Sequence, residues 1–410
     1  MKSRALLTAL FALSLITYID RAAISSAKDA MAGEMALNDK QIGMVFGAFA
    51  LGYALAQIPS GWLADRFGAR ALLAGVVLLW SALTALTGML ASFAALVAVR
   101  FLFGVAEAGA YPGSARAIFE WIPGSRRGIA NGILFAGSRL GAALAFPLMA
   151  WLLAQTHWRS AFYLLALPGL VWGAMWFAAY RDQPVTMKNA EESGAASVRI
   201  LSRPVALAMA QYFVVNFTTF LCLSWMQPYL KTRYALSATE AAFYAMIPLL
   251  AGAGAHWANG LLIDRLFRGA RRDWSRRLPA IAGFLISATG IVCIPSAPTI
   301  QSATAFFTVA AFGAEMVISP SWAYCIDIGR THSGAISGTM NMAGNIGSFL
   351  CANLFPLIAA WTGSNAPYFW LVGVLDLCAA GCWLAMRSPP GDLAWCGTAP
   401  AMPHPSHRQT

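Results

Sequence analysis

Ionisable side chains stand inside apolar runs of this chain. They include Asp20, Arg21, Arg100, Glu107, Arg139 and Glu315. A charge at the centre of a bilayer costs at least about 2.5–3.5 kcal/mol on insertion scales, so such groups pair or face water. In "TYIDRAA" (residues 17–23) an acid and a base are adjacent. On a helix, neighbours point about 100° apart, so Asp20 and Arg21 need separate partners, whereas Tyr18 shares the face of Arg21. The planar fork of Arg21 suits a carboxylate; the rival reading is a structural ion pair between helices. Glu107 lies among Gly104, Ala106, Ala108 and Gly109. A carboxyl buried away from any cation can load and unload a proton near neutral pH; alternatively it stays protonated and hydrogen-bonded in a bundle. Arg139 sits mid-run in "AGSRLGAAL". With Arg21 it could hold a dianion, or one acid group plus hydroxyls, or it is a packing cation partnered by Glu107 or a carbonyl. Glu315 reads as a further carboxyl or as a packed polar residue.

These residues must be positioned by membrane helices. The chain has 410 residues, 59% hydrophobic and 11% charged, and a mean hydropathy of +0.61. A soluble domain carries about 25% charged residues. The apolar residues fall in twelve blocks near the length that spans about 30 Å of hydrocarbon: 5–25, 41–63, 71–91, 93–117, 128–154, 160–180, 204–229, 240–264, 278–297, 301–325, 334–360 and 366–387. Lipid offers backbone groups no partners, so the spans are helices. The first block has no A-x-A-like cleavage site and does not read as a signal peptide.

With the N-terminus placed in the cytoplasm, 20 of the 28 basic residues fall on the inside. That bias places both termini inside. It also accounts for the net charge of +11, so no nucleic-acid partner is expected. Seven cysteines, mostly within spans and without paired spacing, point to neither disulfides nor a metal site.

The longest polar interruption, 181–203, divides the chain into an N-terminal half (1–180) and a C-terminal half (204–387). The pattern G-x-L-x-D-R occurs at Gly61–Arg66 and again 199 residues later at Gly260–Arg265. Glu107 precedes Pro112 by five residues, as Glu315 precedes Pro320. Gly128, Gly132 and Gly141 match Gly334, Gly338 and Gly347 at a shift of 206, which maps Arg139 onto Asn345. Two six-helix halves in the same orientation are expected from a duplication about an axis along the membrane normal. The fold class is therefore an all-α polytopic membrane protein with twelve transmembrane helices in two pseudo-symmetric halves.

The G-x-L-x-D-R-x-G-x-R loop, with Arg100-x-x-x-Gly104, resembles the major facilitator superfamily. "YIDRAAIS", "RFLFGVAEAGAYPGSARAIFEWIP", "SRRGIANGI" and "SGTMNMAGNIG" resemble its anion:cation symporter family, which includes bacterial galactonate, glucarate and hexuronate transporters. One departure is Gln227 in "SWMQPYL", where that family often reads W-x-P-x-Y-L. The resemblance implies that Arg21 binds a substrate carboxylate and that Asp20 and Glu107 carry protons, with Arg100 structural or proton-coupling. It implies a neutral lining from Tyr18, Tyr53, Trp225, Gln227, Ser319, Ser321, Trp322, Asn341 and Asn345, with Pro320 loosening the tenth span. It also implies a gating role for Asp65, Arg66, Asp264 and Arg265, each acid capping a neighbouring helix N-terminus.

The expectation is thus a secondary active transporter in the inner membrane, a monomer driven by a proton gradient without a cofactor. It would carry an organic anion by alternating access, preferably an aldonate, aldarate or hexuronate. Aromatic carboxylates or small dicarboxylates come next, then a drug or metabolite exporter of the same fold. A channel fits the buried carboxyls and the duplication less well. An intramembrane enzyme would need a nucleophile with a base or a metal cluster. His157, His256, His332, His404 and His407 make no such set, and His256 reads as solitary. The Pro-rich tail 388–410 reads as disordered.

Overall fold

The computed structural model describes residues 3–183, 202–269 and 272–386. Most of the 181–203 connection and all of the 388–410 tail lie outside the described residues. Thirteen α-helices in the described residues make twelve crossings. The first four are α1 (Ser3–Met35), α2 (Asp39–Thr87), α3 (Phe93–Glu107) and α4 (Ala110–Trp121). Then come α5 (Arg127–Gln155), α6 (Trp158–Ala179), α7 (Arg203–Phe220), α8 (Met226–Arg233) and α9 (Ala238–Arg268). The last four are α10 (Arg277–Cys293), α11 (Ile300–Gly329), α12 (Ser333–Thr362) and α13 (Ala366–Ala385).

Helix α2 crosses twice. Gly68, at φ +79°, breaks it into the second and third spans, a backbone conformation that an L side chain rarely adopts. The fourth span is α3 and α4 joined at Ala108–Gly109, immediately after Glu107. The seventh is α7 and α8 joined by a π-helical turn, Leu221–Trp225. The tenth span, α11, runs unbroken through Pro320.

The duplication extends to the helix starts. The second span opens on a capping box of Asn38 and Gln41, the eighth on one of Ser237 and Glu240. Each satisfies two amides that the first turn would leave without partners. The two boxes are 199 residues apart, the shift of the G-x-L-x-D-R pattern.

Alternating crossings put Ser3, Ala179, Arg203 and Ala385 on one face, with Arg66, Arg70, Arg116, Arg127 and Arg276. It is called the basic face below. Large apolar side chains such as Trp151, Leu167, Met175, Phe243 and Trp361 are exposed around the bundle, as an apolar belt against lipid requires. The halves meet where the second span packs on the eleventh and the fifth on the eighth.

Candidate functional site: a cavity between the halves

Glycines set the close crossings around the site. A Cβ on Gly104 would run into the Phe49 carbonyl oxygen and stand 2.8 Å from the Tyr53 amide nitrogen. The second and fourth spans therefore meet backbone to backbone, which brings Glu107 of α3 against Arg21 of α1. The Arg21 Nε donates to Glu107 Oε1. Its guanidinium lies over the rings of Tyr53 (4.6 Å), Tyr18 (5.0 Å) and Phe49 (5.5 Å). Such aromatic faces hold a cation without consuming its donors. Arg21 Nη2 and Glu107 Oε2 have no protein partner.

Asp20 turns the other way. It is buried, and Trp80 Nε1 of the third span donates to its Oδ2 at 3.2 Å. Arg100 is buried over Phe103 (4.5 Å) and Phe49 (5.2 Å), within electrostatic reach of Asp20 and Glu107. The premise that Glu107 has no cation beside it is corrected: Arg21 occupies that place.

A second ion pair closes the opposite wall. Arg139 Nη2 of the fifth span lies 2.5 Å from Glu315 Oε1 of the tenth. The other oxygen of Glu315 lies 2.7 Å from Nε2 of the buried His256 of the eighth span. His256 is therefore not solitary. Glu315 is the partner of Arg139, rather than Glu107 or a carbonyl.

The arginine of each pair, Arg21 and Arg139, lines one cavity of about 80 Å³, with Glu107 and Glu315 behind them. Of the expected lining, Tyr18, Arg21, Tyr53, Arg139, Trp322, Asn341 and Asn345 surround it. Asn341 Nδ2 donates to Gln57 Oε1 at 2.9 Å and to the Tyr53 hydroxyl at 3.3 Å, across the two halves. The Trp322 indole donates to the Tyr212 hydroxyl at 2.7 Å. Tyr111 and Phe135 stack at 5.4 Å and complete an aromatic wall with Trp322.

Four expected lining residues stand elsewhere. Trp225 stacks on Phe355 at 4.9 Å, and Gln227 is exposed. The Ser321 hydroxyl is spent on Gln211 (3.1 Å) and the Val317 carbonyl (2.7 Å) inside the C-terminal half. Ser319 is wholly buried away from the cavity. Conversely, Tyr111, Ser138, Tyr212, Asn216 and Thr219 line the cavity and were not anticipated. Two of them carried a signal: Tyr111 follows Glu107 by one helical turn, and Ser138 adjoins Arg139.

Toward the basic face the halves are locked together. Asp65 accepts from the amides of Gly334 (2.9 Å) and Ala335 (2.8 Å), at the N-terminus of α12. Asp264 accepts from Gly128 (2.9 Å) and Ile129 (3.0 Å), at the N-terminus of α5. Carboxylates are favoured at helix N-termini by unpaired amides and the dipole. Arg66 and Arg265, by contrast, are exposed, Arg66 lying over Trp62 at 4.9 Å. The cations between the halves are others. Asp327 of the C-terminal half receives Arg127 Nη1 from the N-terminal half at 2.6 Å and Arg276 Nε at 3.1 Å. Arg276 Nη2 also donates to the Gly124 carbonyl at 2.8 Å, and Arg116 Nη1 donates to the Thr331 carbonyl. These described contacts between the halves run from the basic face to the midplane. An acid seven residues past Pro320, facing a basic pair at 126–127, was the only sequence trace of the Asp327 centre.

A cavity between six-helix halves, lined by the arginine of each of two buried ion pairs, fits a membrane transporter rather than an enzyme. The family model of the Major Facilitator Superfamily matches residues 10–352, and the chain belongs to that superfamily. It is 30% identical to a "Probable sulfoacetate transporter" of Cupriavidus necator over 88% of each chain. It is 29% identical to a "Probable galactarate/D-glucarate transporter" of Bacillus subtilis, covering 93% of this chain and 90% of the relative. It is also 29% identical to a "Probable L-galactonate transporter" of Escherichia coli, covering 91% and 86%. Among solved structures, the proton:xylose symporter XylE bound to 6-bromo-6-deoxy-D-glucose superposes with a TM-score of 0.75 at 15% identity. That match covers 93% of this chain and 95% of the other and speaks for the fold alone.

Proposed function

We propose that this protein imports an organic anion together with protons, as a monomer in the inner membrane with its basic face cytoplasmic. The observation that carries the reading is the buried Glu107 paired with Arg21, which lines the cavity. While Glu107 is ionised it occupies the fork of Arg21. When Glu107 takes a proton, its charge is gone and the fork is free for a substrate carboxylate. Proton and anion thus favour each other's binding, and the coupling is reciprocal. Asp20, close behind the pair, is the group to which the proton would pass onward, with the fixed charge of Arg100 within electrostatic reach of both carboxyls.

The lining suits a hydroxylated ligand: Tyr53, Asn341, Asn345, Tyr212 and Asn216 offer hydroxyls and amides, and Trp322 an aromatic face. Sugar acids fit this set, and the names of the relatives run to sugar acids and to a short sulfonate acid. Transport would proceed by rocking of the halves 1–180 and 204–387 about the cavity, with the lock at Asp65, Asp264 and Asp327 opening to release cargo inward.

The test is uptake by purified protein in liposomes made alkaline inside, using labelled glucarate, galactonate, glucuronate and sulfoacetate, with and without a protonophore. Accumulation above equilibrium that the protonophore abolishes is the expected outcome. Equilibration without accumulation, or uptake of none, sinks the symport reading.

A further inference from the structure

The second ion pair has no task in a mechanism that needs only Arg21. Arg139 comes from the N-terminal half, Glu315 and His256 from the C-terminal half; Arg139 lines the cavity and the other two meet it from behind. A buried ion pair is weak evidence for stability, because desolvation offsets most of its attraction. Packing alone would be served as well by apolar side chains. Arg139 also retains capacity for a ligand, since its Nε has no protein partner. Glu315, like Glu107, is a buried carboxylate whose ionised form fills an arginine fork. Unlike Glu107, it is backed by an imidazole, a second basic group 2.7 Å from its other oxygen.

The groups that face this cluster from the packed elements are few. The ring of Phe135 stacks on His256 at 5.8 Å. Cys222 of the seventh span, and Tyr18 and Tyr111 of the N-terminal half, lie within electrostatic reach of the pair. Asn259, one turn beyond His256, is spent on the Met316 carbonyl. Among the described residues Arg139 and His256 are the basic groups that face Glu315, so a proton on Glu315 itself removes the charge that holds Arg139.

We infer that Arg139, Glu315 and His256 form a second anion-exchange site, and that the transported ion is a dianion with an acid group at each end, one on Arg21 and one on Arg139. The inference rests on the exchange proposed for Arg21 and Glu107. Each end of the dianion displaces one protein carboxylate, and each displaced carboxylate is neutralised by one proton. A dianion therefore travels with one proton more than a monoanion of the same skeleton.

Matched pairs test this in the liposome system and by quenching of tryptophan fluorescence: glucarate against gluconate, and sulfoacetate against acetate. The wild type is expected to bind at least one dianion about tenfold or more tighter than its matched monoanion, about 1.4 kcal/mol. Arg139→Gln should collapse that preference to within about threefold. Glu315→Gln mimics the protonated acid. It should lessen the loss of dianion affinity as pH rises, while the pH response of the monoanion persists through Glu107. A merely structural pair would lower the yield or melting temperature without moving the preference or the pH profile. If Arg139→Gln does not fold, the Glu315→Gln profile decides. An unchanged preference in Arg139→Gln, an unchanged profile in Glu315→Gln, or a wild type that takes neither dianion overturns the inference. Proton-driven uptake of monoanions alone would overturn it while leaving the proposed function standing. Absence of proton-driven uptake of any acid would remove that function instead.

Discussion

At the scale of single residues, Arg21 is held by one hydrogen-bonded carboxylate and three aromatic faces. That arrangement keeps its second nitrogen free, so the geometry of the fork should matter as much as its charge. Arg21→Lys retains a point charge but offers no planar pair of donors. It is expected to weaken anion binding about ten- to a hundredfold while the protein melts near the wild-type temperature. Arg21→Ala should be different in kind. It strands Glu107, which is 0% exposed, and breaking a buried pair costs about 3–5 kcal/mol. Adding Glu107→Gln on that background should recover most of the melting temperature in detergent and none of the binding. If Arg21→Ala alone binds the anion normally, the site assignment is wrong. Glu107→Gln by itself should still bind and exchange substrate across the bilayer, yet fail to accumulate it against a gradient. Counterflow and net uptake, measured side by side, separate the two.

At the scale of elements, what could be read depended on whether information stayed within one helix. The adjacency of Asp20 and Arg21 dictated separate partners, because a helix fixes their divergence. The partners, Trp80 and Glu107, lie 60 and 86 residues away and no spacing rule reaches them. Apolar blocks, twelve crossings and the duplication were legible because lipid imposes length and helicity on every span. Trp225 and Gln227 misled because the π-helical turn Leu221–Trp225 inserts a residue into the helical repeat and rotates everything after it by about 100°. Ser319 and Ser321 misled because a helix has several faces: α11 turns Ser321 into its own half and buries Ser319 away from the cavity. The small residues, by contrast, marked a real crossing. A Cβ on Gly61 would strike the Gly334 carbonyl oxygen and stand 2.9 Å from the Ala335 Cα. Gly61→Val should therefore prise the second span from the eleventh near the basic face. A cysteine at Ser337, buried in this packing, should then react with a maleimide several-fold faster. Unchanged labelling would mean that this crossing does not hold the face closed.

At the scale of the whole molecule, the lock is built twice, as the duplication requires. Asp65 caps the eleventh span from the second, and Asp264 caps the fifth span from the eighth. Each cap joins one half to the other, so it contributes only while the basic face is closed. Removing the charge should cost about 1–3 kcal/mol of that closed state and little of the fold itself. Asp65→Asn and Asp264→Asn should each shift the population toward an open basic face by about 5–150-fold. The two sites share no partner, so the double variant should shift it by roughly the product. Spin labels placed across the basic face would report this as a growing long-distance population. The Asp327 centre adds to the lock, because Arg127 of the N-terminal half reaches Asp327 of the C-terminal half, and Arg276 of the C-terminal half reaches the Gly124 carbonyl of the N-terminal half. Arg127→Gln removes an inter-half contact and should open the face, as the caps do. Because the competent fraction for cargo entering from the opposite face falls as the basic face opens, apparent affinity for external anion should drop in proportion to the closed fraction that remains. A long-distance population that grows without a loss of external affinity would show that closure of the basic face and binding of cargo are not coupled through these contacts.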